Sequence, residues 1–523
     1  MPDYKLSATL GEQLTWDNSD PSGDDRKWRA TQFSTLPSLF HFAVAKQYNH
    51  LFATKGRYEA NTFLRTLVKQ FSQINFKLAT DNDFLRKFAA NRAKEFTRAI
   101  RSTPDPKDQY DTLSRLLINF DVTAPEVKPP VTVNGAVKRM LDESWLARRL
   151  RQANLPQFEA VAIKAGLVHK FASLYISEES LKAFKQRQSN NRQVMERMQL
   201  ENEIGQVYEL ADLVALSVAN PKNRRHELMA RLYGFDQIAQ RMGHVGLFIT
   251  LTCPSRMHAR YAKSGDPVPS YDGTTPRQAQ HYLCNVWARA RALFKHASIH
   301  VYGFRMAEPQ HDGTPHWHIL LYTAPHNEYE VGDILTRMAL EDSPDEKGAR
   351  KRRCDIKRID WSKGSGVAYA AKYIAKNIDG EHIEQDLHGN QAKDTASRVV
   401  AWASTHRIRQ FQQFGGPPVT CWRELRRIGS APEGILNSAR TAADQGDWST
   451  FTNVLGGTDI CRKDQPVKLV REHKSDLGRY GEPKGNQIAG VSDGYTCIQT
   501  RMHTWTAKLK SKSLRVLDEV RHP

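Results

Sequence analysis

The spacing of apolar residues changes character along the chain. Through residues 1–130 short helical patterns alternate with polar linkers, and residues 124–133, which hold Pro125, Pro129 and Pro130, read as a connector. Between 135 and 242 the period is helical and the intervening positions are heavily charged. Residues 142–151 and 193–203 are typical, and helices of this kind turn a solvated face away from a bundle. At Val245 the period becomes two. Residues 245–252 alternate and are β-branched, which predicts a strand ended by Cys253-Pro254. Thr275, Pro276 and Gln278 offer an N-cap, a first-turn proline and a capping-box partner. The helix they start places Tyr282, Leu283, Val286, Trp287, Ala290, Leu293 and Phe294 on one face. Further strands are predicted at 299–306, along the run beginning His316-Trp317-His318, and at 354–360. Helices are predicted at 329–340 and 366–378, the second stopped by Gly380. Strands interleaved with helices, and a hairpin-length gap between Met306 and His316, predict an α+β fold with an antiparallel-rich sheet. There is no internal repeat.

Composition narrows the partner. The 523 residues are enough for several domains with large cores. Lys and Arg number 76 against 57 Asp and Glu, a net charge of +19 that favours a polyanion. Nucleic acid fits better than a membrane, because no apolar run approaches the ~20 residues of a spanning helix. Residues 1–7 carry no apolar signal core. The six cysteines are scattered without a C-x-x-C pair, which points to reduced thiols in a cytoplasm rather than a disulfide framework or a zinc ribbon.

The candidate chemistry lies in two short stretches. On a strand, side chains two apart share a face, so His316 and His318 project together with Trp317 opposite. Hydrogen-bonded core histidines would satisfy the same pattern. However, the polar, turn-rich approach at 310–315 places this pair at a strand entrance, and a hairpin would set Glu308 beside His316. Two nitrogens and a carboxylate, completed by water and phosphate oxygens, suit Mg²⁺ or Mn²⁺. Asp312 and His311 are rival third ligands. About fifty residues on, Tyr369 and Tyr373 stand one helical turn apart. Val367, Ala371, Ile374 and Ile378 form that helix's core arc, so Tyr369, Lys372, Tyr373 and Lys376 are expected to point away from the core. A phenol is a weak nucleophile at neutral pH, with a pKa near ~10, and adjacent ammonium groups would favour the phenolate. A metal pair on a strand and a tyrosine pair on a helix therefore point to DNA cleavage through a phosphotyrosine bond. A basic run with Arg350, Lys351, Arg352 and Arg353 precedes this helix, and it is expected to grip the DNA backbone.

The ordered motifs at 248–252, His316-Trp-His318 and Tyr369-x-x-Lys372-Tyr373 resemble those of HUH-type rolling-circle endonucleases. The paired tyrosines and the Thr-Leu-Thr-Cys-Pro-Ser-Arg-Met-His258 start look most like the phage replication gene A protein family. Trp402-Ala-Ser, Ile408-Arg-Gln-Phe-Gln412 and Gly415-Gly-Pro-Pro418 resemble its downstream segment, and Trp145 with Arg148 and Arg149 is a weaker match. The resemblance covers roughly residues 140–430. It implies an endonuclease domain at 243–425; a region of unclear role at 1–130 and a helical region at 135–242, a candidate for DNA binding, precede it. Residues 430–523 are basic and carry no readable motif. It further implies that His316, His318 and, less firmly, Glu308 hold the metal, that Tyr369 and Tyr373 are nucleophiles, and that Lys372 and Lys376 are their charge partners. The implied activity is strand-specific nicking of a phage origin, initiation of rolling-circle replication and rejoining of the strand. A host helicase would be a partner, because no G-x-x-x-x-G-K-[ST] motif occurs. The alternatives are a relaxase-like mobilisation nickase and a non-catalytic origin-binding protein.

Overall fold

A computed structural model describes residues 23–380 and 392–510. Residues 1–7, read above for a signal sequence, lie outside the described residues. The N-terminal part is helical up to Ile118, and its two apolar clusters close against helix α1 (Glu143–Ala165). Helices α2 (Glu178–Glu196) and α3 (Pro221–Arg241) follow. Then come strand β1 (Val245–Leu251), helix α4 (Pro276–His296), strands β2 (Tyr302–Pro309) and β3 (Pro315–Thr323), and helix α5 (Glu328–Leu340). Strand β4 (Cys354–Arg358), helices α6 (Gly366–Ile378) and α7 (Ala392–His406) and strand β5 (Phe411–Phe414) complete the central layer. The five strands pair antiparallel in the order β4-β1-β3-β2-β5. The fold is α+β with a five-stranded antiparallel sheet and a helical N-terminal region, as the periodicity predicts.

Both sheet faces are covered. Leu247, Ile249, Leu251, Trp317, Ile319 and Leu321 pack under α4, α5 and α7. Phe248, Phe304, Met306, Leu320 and Tyr322 pack under α3 and α6. Wholly burying a side chain of this size contributes about 1.5–3 kcal/mol. A one-residue slip of β3 would exchange its two faces and drive His318 into the apolar layer, so hydrophobic burial holds the register. Leu436, Ala439, Trp448, Phe451, Val467 and Val491, all from beyond residue 430, join the second core. No helix among the described residues is long and apolar enough to cross a membrane.

Three local expectations shift. The strand expected at 299–306 runs Tyr302–Pro309, because Ile299 is used to close α4: its N–H donates to Phe294 O at 2.8 Å, after Ser298 turns at φ 56°. The helical reading of 193–203 fails at its second half. Helix α2 ends at Glu196, and Met198–Asn202 is a strand that pairs with Trp505–Leu509, some 300 residues away. Ala371 is only half-buried, and Ala370 takes its place in the core arc of α6. The capping box at Thr275 and Gln278 forms as expected.

Candidate active site

The hairpin β2–β3 sets Glu308 directly opposite His316. His318 lies one pleat further, on the same face. The two imidazole Nε2 atoms are 2.9 Å apart, and Glu308 Oε2 lies 3.8 Å from His316 Nε2 and 3.6 Å from His318 Nε2. These three are the one group of three or more histidine, cysteine or carboxylate residues among the described residues whose ligand atoms converge tightly enough to hold an ion. Cis ligands of an octahedral ion at about 2.1 Å stand about 3 Å apart, so the nitrogen spacing fits. The chemistry fits too. Burial, reinforced by the neighbouring His318, pushes His316 down to about 3, which favours the neutral imidazole that metal ligation requires. Its Nδ1 is buried without a hydrogen-bond partner. Burial would lift the Glu308 carboxyl, but His318 and the Lys376 ammonium outweigh it and bring it down to about 2.

Helix α6 brings the tyrosines over this cluster. Ser365 caps its N-terminus, accepting from Ala368 N–H. Asp236 of α3 accepts from Gly366 N–H at 3.1 Å, Tyr322 Oη at 2.8 Å and Trp361 Nε1 at 3.3 Å. The helix starts so close to the sheet that a Cβ on Gly366 would come within 2.6 Å of Tyr322 Oη. The Tyr373 ring sits 4.0 Å from that of His318, and Phe248 stacks on His318 and on Tyr373, both at 5.5 Å. Tyr369 stands one turn out, 5.7 Å from Phe248 and 37% exposed.

The charges depart from expectation. Lys372 is exposed, with its ammonium 5.5 Å from the Tyr373 ring. Lys376 does not point away from the core. It turns under the helix to lie 3.5 Å from Glu308 Oε2 and 5.7 Å from the Tyr175 ring, with only 12% of its side chain exposed. Burial would lower it, but the Glu308 carboxylate more than compensates and raises it. Its charge is thus matched to Glu308 and not left for a phenolate. Accordingly the Tyr373 phenol lies above its ordinary value, raised by burial and by Glu308. Arg353, expected on DNA, is also turned inward: it is 2% exposed, paired with Glu346 and bonded to Asp342 O. It follows the short helix Ala349–Arg352, where the side-chain direction reverses, while Arg350, Lys351 and Arg352 remain exposed.

The rival ligands have other work. Asp312 is buried in the turn before β3, where it accepts from Thr314 N–H at 3.0 Å and Ala259 N–H at 3.0 Å and lies 3.1 Å from His258 Nδ1. Those partners, His258 first, outweigh burial and hold its carboxyl well below the usual range. His311 O accepts from Tyr175 N–H. In the same turn Gly313, at φ 83°, passes within 2.9 Å of Tyr175 O at its Cβ position, and its carbonyl accepts from Trp402 Nε1 of α7 at 2.8 Å.

Sequence reasoning missed the partners that orient the candidate ligands. Asn377, 1% exposed, donates from Nδ2 to Glu308 Oε1 at 2.7 Å, and its carbonyl accepts from Gln410 Nε2. An amide three residues after Ile374, on the core side of the helix, was the available signal. Thr250 Oγ1 lies 3.2 Å from His318 Nδ1, directly across the strand pair, and so helps to fix that ring's plane.

Residues 69–381 match the model of the bacteriophage replication gene A protein family. The chain is 33% identical to a probable replication protein of Pseudoalteromonas phage PM2, over 92% of this chain and 82% of that one. It is 38% identical to the replication gene A protein of Escherichia phage 186, over 84% of this chain and 67% of that one. It is 33% identical to a probable replication endonuclease from a prophage-like region of Salmonella paratyphi A, over 70% of this chain and 47% of that one, and so spans about half of that relative's length. No solved structure matches. The ordered motifs, the family match across more than half of the residues and relatives along almost its whole length agree: this chain belongs to the bacteriophage replication gene A protein family.

Proposed function

We propose that the chain is a metal-dependent, HUH-type endonuclease that nicks one strand of a phage origin, starts rolling-circle replication and rejoins the strand. The observation that carries the reading is the Tyr373 ring 4.0 Å from His318, within the cluster where Glu308 and His316 also converge. The family match and a relative named as a replication endonuclease support the reaction class. Phage origin DNA is the substrate, a host helicase the partner, and the bacterial cytoplasm the setting.

His316, His318 and Glu308 would hold Mg²⁺ or Mn²⁺. When bound, the ion polarises the scissile phosphate and offsets its developing charge. Asn377 and Lys376 keep Glu308 ionised and fixed, and Thr250 fixes His318. Tyr373 Oη attacks phosphorus. The Oη–P bond forms, the P–O3′ bond breaks, the phenol gives up its proton and O3′ gains one. The products are a 5′-phosphotyrosine and a free 3′-hydroxyl, which conserve bond energy for rejoining. Burial and Glu308 raise the phenol and Lys376 is already matched to Glu308, which favours loss of the proton in step with attack. Lys372, exposed beside Tyr373, faces the approaching phosphates, and Tyr369 supplies the second nucleophile once a site is regenerated.

The test is a denaturing gel with end-labelled single-stranded origin DNA and Mg²⁺ or Mn²⁺, comparing wild type with Tyr369→Phe, Tyr373→Phe and the double variant. A metal-dependent covalent band that survives either single change and vanishes in the double supports the two-tyrosine mechanism. A band lost with one single change demotes the other tyrosine. No band from the wild-type protein overturns the endonuclease reading.

A further inference from the structure

Away from the tyrosines, α1, α2 and the end of α7 enclose a cleft of about 180 Å³ lined by Arg148, Arg151, Arg187 and Arg407. We propose that it holds a phosphate group of the DNA backbone, flanking the segment that reaches the tyrosines.

Four observations carry this. First, none of these arginines has a carboxylate partner among the described residues. Their contacts are neutral: Arg151 donates to Asn82 Oδ1 and Arg187 to Ser404 Oγ, both at 3.3 Å. Arg225, Arg353 and Arg139, by contrast, are each matched to a carboxylate, those of Asp379, Glu346 and Glu482. Arg151 and Arg187 are half-buried while Arg148 and Arg407 reach solvent, and cations gathered this closely without an anion are costly unless one arrives. Second, further positive charge crowds the cleft. Burial first, then Arg187 and Arg86, push Arg151 down to about 10, and burial with Arg277 and Arg149 lowers Arg407. Third, Thr405, 5% exposed, lines the cleft, and its buried hydroxyl has no hydrogen-bond partner. It is a neutral group ready to serve a phosphate oxygen. Fourth, Arg407 adopts φ 53° just after α7, where glycine or asparagine would sit with less strain. The guanidinium fork matches phosphate oxygens in pairs. Exposed Arg149 continues the positive charge beyond the cleft, which suits a chain of phosphates better than a single free one. Helix α7 ties the cleft to the site, since its Trp402 holds the turn before His316.

The proposal rests on DNA being the substrate, and its experiment involves no cleavage. Anisotropy of a labelled single-stranded oligonucleotide without origin sequence is measured in EDTA across a salt series. Arg148→Gln/Arg407→Gln should bind about tenfold more weakly and flatten the slope of log K against log salt by about one, because each phosphate contact on a single strand contributes ~0.7. Arg148→Lys/Arg407→Lys should keep most of the slope. Arg337→Gln/Arg440→Gln, which removes two arginines paired along their own helices, should change neither quantity. Circular dichroism and melting establish that each variant is folded. Unchanged affinity and slope, or an equal loss in the Arg337/Arg440 control, overturns the proposal. So does a variant that binds DNA normally but loses a phosphate-induced rise in Tm, since that assigns the cleft to free phosphate. A missing covalent band with wild-type protein would overturn the endonuclease reading and leave this binding result standing.

Discussion

Replacing Glu308 by Gln separates its proposed role as a metal ligand from its role as half of a buried ion pair. Lys376 Nζ lies 3.5 Å from Glu308 Oε2, and the two side chains are 12% and 2% exposed. At that distance and an effective dielectric of about 20 the attraction is about 5 kcal/mol before desolvation is subtracted. Breaking such a pair at one end costs about 3–5 kcal/mol, because the remaining charge stays buried. Glu308→Gln keeps an acceptor for Asn377, so the lower end, about 3 kcal/mol, is expected, and a similar loss for Lys376→Met. The double variant leaves neither charge, and its loss should fall short of the sum by about 2 kcal/mol. Urea denaturation of all four proteins gives that cycle, and Mn²⁺ titration followed by electron paramagnetic resonance gives the second readout. If Glu308 is a ligand, Glu308→Gln and the double variant bind Mn²⁺ at least about tenfold more weakly, and Lys376→Met does not. A double variant that regains Mn²⁺ affinity along with stability would refute the reasoning and leave Glu308 as the counter-ion of Lys376 alone.

Three further outcomes are expected. Thr250→Val should remove the hydroxyl beside His318 Nδ1 and weaken Mn²⁺ binding about tenfold or more, while stability changes by about 1 kcal/mol; an unchanged Mn²⁺ titration would show that the ring needs no such support. Arg353→Ala should cost about 3 kcal/mol in urea denaturation yet leave the salt slope of DNA binding alone, whereas Arg350→Ala/Lys351→Ala should flatten the slope by about one with little loss of stability; the reverse pattern would put Arg353 on DNA. Glu159 is fully buried, and burial raises its carboxyl despite hydrogen bonds from Ser177. A raised folded-state value means its contribution is complete below the ordinary 4.5 and is lost as pH rises through the folded value, so denaturation above that point should show wild type losing stability that Glu159→Gln retains. Parallel pH profiles for the two proteins would contradict this.

The elements around the site were legible because their signals are local. Alternation at 245–252, the Thr275–Gln278 capping box and the stretch from Gly366 to Gly380 each act within a short run of contiguous chain. The pairing of Glu308 with His316 followed from hairpin spacing, since period-two geometry leaves few registers that bury the β3 apolar residues. Charge direction was not legible. Lys372 and Lys376 are equivalent in sequence, yet only the packing of α6 against β2 puts one in solvent and the other under the helix beside Glu308. Arg353 looks like its neighbours until the fold places Glu346 against it. The strand Met198–Asn202 depends on a partner some 300 residues away, and the arginine cleft on three helices meeting. Thus the sequence by itself determined the local elements and the residue types at the site, while tertiary structure decided which polar groups pair, because that depends on long-range burial, where removing water makes the nearest opposite charge or donor decisive.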